Sequence, residues 1–319
     1  MESIYRDARW YELQALKEDG TPECYSFQDE QGSMVYEFIK REAGIVNNQK
    51  YYDLVTTRGM GGPIVEATEN ELKSFIQKTQ IYFQEYCKQE HIIAEYVKFD
   101  PWIKNADQFQ SYYIVEHHGN TYGNDLTHDF YQSEYHTNAR ARIKKAVDSG
   151  VEVRFDHCGE TISKFLELYQ YTKNKYHVSQ FYDIDQSFVE AYFDKLEGKV
   201  CIANAIWNKQ TISSVLVVFG KDIAHYHFLG NDPKYRELQA NTLLTYECAK
   251  LARSLGKKIF DLGGSVLGSG VEDFKKKFVR EQNKYPYYIG KCIRNEEIYQ
   301  ILVNEKKERR PGFFPEYRG

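Results

Sequence analysis

The segment Phe260-Asp-Leu-Gly-Gly-Ser-Val-Leu-Gly-Ser-Gly-Val-Glu-Asp-Phe-Lys-Lys-Lys-Phe278 runs from an apolar stretch through four glycines into three lysines flanked by aromatics. Gly263, Gly264, Gly268 and Gly270 free the backbone to take positive φ or to pass close to a ligand, and a glycine-rich turn after a strand aims main-chain N–H groups at an anion. Lys275 adds a cation within reach of such a turn. A second glycine loop, Thr57-Arg-Gly-Met-Gly-Gly-Pro63, places Gly61 and Gly62 either at a ligand or at a corner of the chain. Arg140, Arg142, Lys144 and Lys145 share one basic stretch, which reads as a solvated helix face or as an anion site.

Several standard chemistries fail on particular residues. Gly263 and Gly268 have the spacing of a nucleotide P-loop, but Ser269 and Gly270 stand where Lys and Ser/Thr are required. A dinucleotide fingerprint fails at Asp273, which occupies the place of its third glycine. His117 and His118 resemble the histidine pair of condensation enzymes, yet Tyr122 replaces the aspartate, and no GxSxG elbow occurs. His225 and His227 would share one face of a strand, but spacing supplies no third ligand, so no metal site is expected. Six scattered cysteines form neither a metal knuckle nor a disulfide framework.

The elements that must position these residues follow from pattern. A chain of 319 residues exceeds what one core usually fills, which predicts two domains of about 150 residues. Net charge of −4 argues against a protein that coats long nucleic acid, though contact with a short end is compatible with it. No apolar run reaches the ~20 residues of a spanning helix. The start, Met1-Glu-Ser-Ile-Tyr-Arg-Asp, lacks an apolar secretion signal, so a cytoplasmic location is expected. After an opening of ambiguous type, strands are predicted at 23–28, 33–41 and 51–55. Capping-box spacing at Thr68 and Glu71 introduces a helix to about Gln89, followed by strands at 91–99 and 111–118. Helices over 137–149, closed by Gly150, then 161–175 and 185–196, lead to a meander at 199–207, 211–220 and 223–229. A helix over 238–255 and a strand at 258–262 complete the second half. Both halves read as three strands, a helix and a strand, an α+β pattern repeated without a visible sequence period.

On that layout the residues resemble the FemX/FemAB family of non-ribosomal peptidyl transferases, which have two tandem acetyltransferase-type (GNAT) domains. The likeness lies in Tyr51-Tyr-Asp-Leu-Val with Gly59, Gly61, Gly62 and Pro63; in Arg140, Ile143, Ala146 and Gly150-Val; in Phe260-Asp-Leu-Gly-Gly264 followed by Phe274-Lys275 and Phe278; and in Tyr288-Ile-Gly-Lys291. It implies an α+β fold with two GNAT-like domains, each a mixed, largely antiparallel sheet flanked by helices. The first, residues 1–150 plus 288–319, would take the acceptor, and the second, 151–287, would hold the donor and the chemistry.

The resemblance further implies transfer of an aminoacyl group from charged tRNA to an amine of a cell-envelope precursor, as in peptidoglycan bridge formation. Phe274 and Lys275 match the Phe-Lys pair beside the reacting ester. Gly263, Gly264, Gly61, Gly62 and Arg140 are the accompanying substrate-binding candidates. No tightly bound cofactor is implied, the co-substrate being aminoacyl-tRNA or acyl-CoA. Lys275 suits the chemistry, because an amine attacking an ester or thioester builds an oxyanion that a cation stabilises. For the proton lost by the amine, Glu272, Asp273, a tyrosine and the substrate itself stay open. Acyl-CoA enzymes of this fold cradle pyrophosphate with Arg/Gln-x-x-Gly-x-Gly/Ala; here Arg236-Glu-Leu-Gln239-Ala-Asn241 puts amides at both small positions, which favours the tRNA donor. The alternatives are an acyl-CoA-dependent N-acetyltransferase acting on an amino sugar and a non-catalytic binding relative.

Overall fold

The computed structural model describes residues 1–176, 183–265 and 267–319. The chain forms two compact units: a first of residues 5–118 and 286–319, and a second of residues 1–4 and 119–285.

In the first unit the ambiguous opening is a helix, α1 (Ala8–Glu18), begun by Asp7, whose side chain accepts from the Arg9 N–H. Strands β1 (Thr21–Asp29) and β2 (Gly32–Val46) form the expected hairpin, and β3 (Gln49–Val55) returns along β2. In β2, Met34, Tyr36 and Phe38 are buried in alternation, as the two-residue period of a strand dictates. A short strand not evident from the sequence, β4 (Ile64–Ala67), also pairs with β2. Helix α2 (Leu72–Gln89) buries Phe75, Ile76, Phe83 and Cys87 on one face. The capping box does not form as predicted: Thr68 Oγ1 donates to the Glu71 carboxylate at 2.9 Å, and the helix starts after it. Strand β5 (Ile92–Lys98) lies parallel to β3, and a turn of helix, α3 (Ala106–Phe109), follows.

The chain passes into the second unit within β6 (Ile114–Asp125), which is longer than the predicted 111–118. After the short α4 (Phe130–Ser133) comes the basic helix α5 (Thr137–Asp148), which Gly150 closes at φ 78°. The domain break expected after residue 150 falls instead at 118/119. The reason is packing: Ala139, Ile143 and Ala146 of α5 are buried in the same core as Leu243, Leu244 and Cys248. Strand β7 (Glu152–Asp156) and helices α6 (Ile162–Tyr176) and α7 (Gln186–Lys195) lead to the antiparallel meander β8 (Val200–Trp207), β9 (Gln210–Phe219) and β10 (Ile223–Asn231). Helix α8 (Ala240–Ser254) covers β8 and β9, and β11 (Ile259–Ser265) joins β10 in parallel and β6 antiparallel. A short helix, α9 (Gly270–Lys275), follows.

The chain re-enters the first unit in β12 (Lys284–Ile293), antiparallel to β5, and ends with α10 (Glu296–Glu305), whose Ile298, Tyr299, Leu302 and Val303 pack on Ile93 and Ala94. Each unit is thus a mixed, largely antiparallel sheet flanked by helices, the α+β class expected from the sequence.

Candidate active site

Three strands of the second unit converge on the glycine turn. His225 of β10 lies in register with Asp261 of β11, and Asp261 in register with Gly123 of β6. The next regular pair of β11 and β6 is Gly264 with Thr121, so Leu262 and Gly263 together oppose Tyr122 in a bulge. Gly263 takes φ 77° there, a left-handed conformation that a residue with a Cβ adopts only at a cost. The bulge turns the Gly263 and Gly264 carbonyls toward α9, and Lys275 Nζ donates to both, at 2.9 and 2.7 Å.

Lys275 is partly buried, and burial lowers its ammonium to about 8, against an upward pull from Asp261. An ammonium has three N–H donors, and two of them go to carbonyls. No acceptor for the third is found among the described residues.

Helix α9 is fixed by a cap that the sequence carries as Ser269-x-x-Glu272. Ser269 Oγ accepts from the Glu272 N–H at 3.2 Å, while the Glu272 carboxylate accepts from Gly268 N–H at 2.7 Å and Tyr122 Oη at 2.5 Å. Those bonds, the Tyr122 one foremost, hold Glu272 down to about 2, and Lys276 Nζ lies 3.3 Å away. Glu272 is therefore a structural anion and a poor base at neutral pH. Phe274 packs its ring 4.9 Å from that of Phe278 and rests on the core, which anchors the helix beside Lys275. Lys277 lends its carbonyl to the His136 N–H at the start of α5.

Beneath the turn, Asp261 collects donors. Thr121 Oγ1 and Gly263 N–H reach Oδ1 at 2.5 and 2.8 Å, and His225 Nδ1 lies 2.9 Å from Oδ2. Burial alone would raise this carboxyl, but the hydrogen bond and electrostatic pull of His225 outweigh it, with Thr121 and Gly263 adding, and keep it below the usual range. His225 and His227 do not act as a ligand pair. A register shift between Tyr226 and Phe228 breaks the strand alternation, so His225 faces Asp261 while His227 Nε2 meets Tyr192 Oη at 3.0 Å. Among the described residues, no cluster of His, Cys, Asp or Glu could hold a metal.

Gly61 and Gly62 lie in the first unit. They line a narrow cleft with Arg6, Tyr11, Glu37 and Asp100; Gly62 has φ 87°, and Asn105 Nδ2 donates to the Gly61 carbonyl at 2.8 Å. Burial pushes Glu37 up to about 7, with Asp7 adding and Arg6 opposing. The guanidinium of Arg140 donates to the Tyr135 carbonyl at 2.7 Å and to that of Gln132 at 3.3 Å, so it braces the turn between α4 and α5. The loop before α8 ends in a left-handed residue, Gln239 at φ 57°.

The sequence points to Lys275 and the glycines as candidates and assigns no role to Asp261 or Thr121. Asp261 carried a signal in its place two residues before Gly263. Thr121, more than a hundred residues away, carried none.

Residues 133–276 match the acetyltransferase (GNAT) domain family. No curated protein matches the chain in sequence. In fold, the chain is similar to the crystal structure of FemX, with TM-score 0.70 and 15% identity over 92% of each chain. It is also similar to a C-terminal domain (DUF2156) assigned to a lysylphosphatidylglycerol synthetase of Agrobacterium fabrum, with TM-score 0.57 and 11% identity over 95% of each chain. L-PGS from Bacillus licheniformis gives TM-score 0.53 and 12% identity over 92% of this chain and 91% of that one. The chain therefore carries a match to the GNAT domain family over residues 133–276, within a fold similar to that of FemX.

Proposed function

We propose that the protein forms an amide by moving an aminoacyl group from charged tRNA to an amine of a cell-envelope precursor, with Lys275 as the cation at the developing oxyanion. The observation that carries this is the Lys275 ammonium, fixed by the two glycine carbonyls with one donor left over. In the reaction the amine nitrogen attacks the ester carbonyl, the new C–N bond forms, the bond to the ribose oxygen breaks, and the proton shed by the amine ends on that leaving oxygen. An oxyanion exists only on the way, so a preset donor stabilises the transition state more than the bound ester.

The fold of a lysylphosphatidylglycerol synthetase domain supports the broad class, since that neighbour's name joins an amino acid to a lipid. The amides at Gln239 and Asn241 in the helix-leading loop favour tRNA over acyl-CoA as donor. A cytoplasmic location suits that donor; among the described residues no helix is long and apolar enough to cross a membrane.

The second reading is acyl-CoA-dependent N-acetylation of an amino sugar, favoured by the left-handed backbone that Gln239 retains before α8. Transfer of a radiolabelled group to a panel of amines, from mixed aminoacyl-tRNA and from acetyl-CoA in parallel, separates the two. Label passing from tRNA alone supports the first reading, and label from acetyl-CoA alone replaces it with the second.

A further inference from the structure

Asp261 is 4% exposed and takes no step in the transfer described above. Its connections nevertheless run straight to Lys275. One carboxylate oxygen accepts from the Gly263 N–H, and the carbonyl of the same glycine accepts from Lys275 Nζ. Both polar groups of Gly263 are thus bound, one to the aspartate and one to the lysine, at a residue whose backbone is held in a left-handed turn.

The other oxygen is held from behind. A carboxylate has no proton to donate, so the 2.9 Å contact puts the hydrogen on His225 Nδ1. On its far side His225 Nε2 lies 2.7 Å from Ser3 Oγ. Ser3 is tied to the unit by its neighbours: the Asp222 N–H donates to the Glu2 carbonyl and the Glu2 N–H to the Asp222 carboxylate, both at 2.9 Å. Serine, histidine and aspartate in this order have the spacing of a hydrolytic triad, but all three side chains are buried, so a role in support fits better than one in attack.

We infer that Asp261 is a positioning residue for Lys275: through Gly263 and through its own negative charge it holds the lysine in place as a cation, with Thr121, His225 and Ser3 fixing the carboxylate. The inference rests on Lys275 being the charge at the oxyanion. Around the lysine, Asp261 of β11 is the group that acts on its charge. His225 of β10 and Thr121 of β6 face the carboxylate, and Glu272 of α9 and Lys276 just past its end face each other. Burial draws the ammonium down to about 8, and the carboxylate opposes that fall.

The test is Asp261→Asn, which keeps an oxygen for Thr121 and Gly263 and removes only the charge; His225 can meet the amide by changing tautomer. Two readouts apply. In single-turnover transfer, with the donor and amine found by the label assay, kcat is expected to fall at least tenfold with KM within about twofold, and the alkaline limb to move to lower pH. Separately, NMR of protein carrying 13C at lysine Cε, with the Lys275 signal identified by its loss in Lys275→Arg, should show Lys275 titrating at least half a pH unit lower in the variant. An unmoved titration overturns the inference. If the titration moves but Lys275→Ala transfers at full rate, the coupling stands and the assigned role of Lys275 fails. Should Asp261→Asn not fold by circular dichroism, Thr121→Val, which removes one donor to the same oxygen, is read in the same way, with a loss of about threefold expected and an unchanged rate and titration counting against it.

Discussion

If a half-buried lysine supplies the positive charge, the rate must follow the protonation of that lysine. Lys275 loses its proton at about 8 rather than near 10.5, because burial disfavours the ammonium more than Asp261 restores it. On that value about nine tenths of the molecules carry the charge at pH 7 and about one tenth at pH 9, so single-turnover transfer, divided by the free-base fraction of the acceptor amine, should drop about tenfold between them. An acid limb, set by the acceptor amine, makes the whole profile a bell. The titration of Lys275 does not itself unfold the chain. Between about 8 and 10.5 the unfolded chain binds a proton at this lysine that the folded chain has released, so this lysine's contribution to stability rises with pH through the window in which activity falls. Lys98 in the first unit is also lowered to about 8 by burial, and it supplies the control. The assay is rapid-quench transfer of a labelled acyl group from pH 6 to 10 in wild type, Lys275→Arg and Lys98→Arg. Arginine keeps its charge throughout, so the limb should vanish in Lys275→Arg, at a lower plateau because a planar guanidinium fits the two carbonyls poorly. It should persist in Lys98→Arg. A flat wild-type profile to pH 10, or a limb that survives in Lys275→Arg, refutes the assignment.

Two further outcomes follow from the same structure. Glu37→Gln should raise the melting temperature at pH 8 by about 2–4 °C and leave it unchanged at pH 4, because a carboxyl raised to about 7 weakens the fold as pH climbs from about 4.5 through 7; scanning calorimetry at the two pH values checks this. Gly263→Ala should cost about 1–2 kcal/mol of stability in urea titration, from the left-handed backbone alone, since a Cβ there would sit 3.5 Å from Lys275 Nζ in ordinary contact.

Much of the architecture was legible because periodicity is local. The alternation in β2, the one-faced burial of α2 and the meander of β8 to β10 each need only a window of ten to twenty residues. What escaped prediction depended on partners far along the chain. Strand β4 is four residues long and exists because β2 is beside it. Helix α5 falls in the second unit because of residues of α8 that no local pattern reveals. The capping signal at Thr68 and Glu71 had the correct spacing, yet the two side chains bond each other and leave the helix start uncapped.

The site divides in the same way. Phe274 and Lys275 were singled out by family pattern, and Ser269-x-x-Glu272 is a local cap that spacing alone could have revealed. Thr121 and Ser3 reach the turn only through the fold. Glu272, open as a base on sequence grounds, is withdrawn by the hydrogen bonds of Tyr122 and Gly268.

The most direct test is the single-turnover rate of Lys275→Ala with donor and amine both saturating. Removing one charged donor from an oxyanion site costs about 10²–10³ in rate, and with the carbonyl cradle intact the binding of both substrates should stay within a few fold. That pattern is the expected result. Transfer at the wild-type rate would contradict the account at its centre.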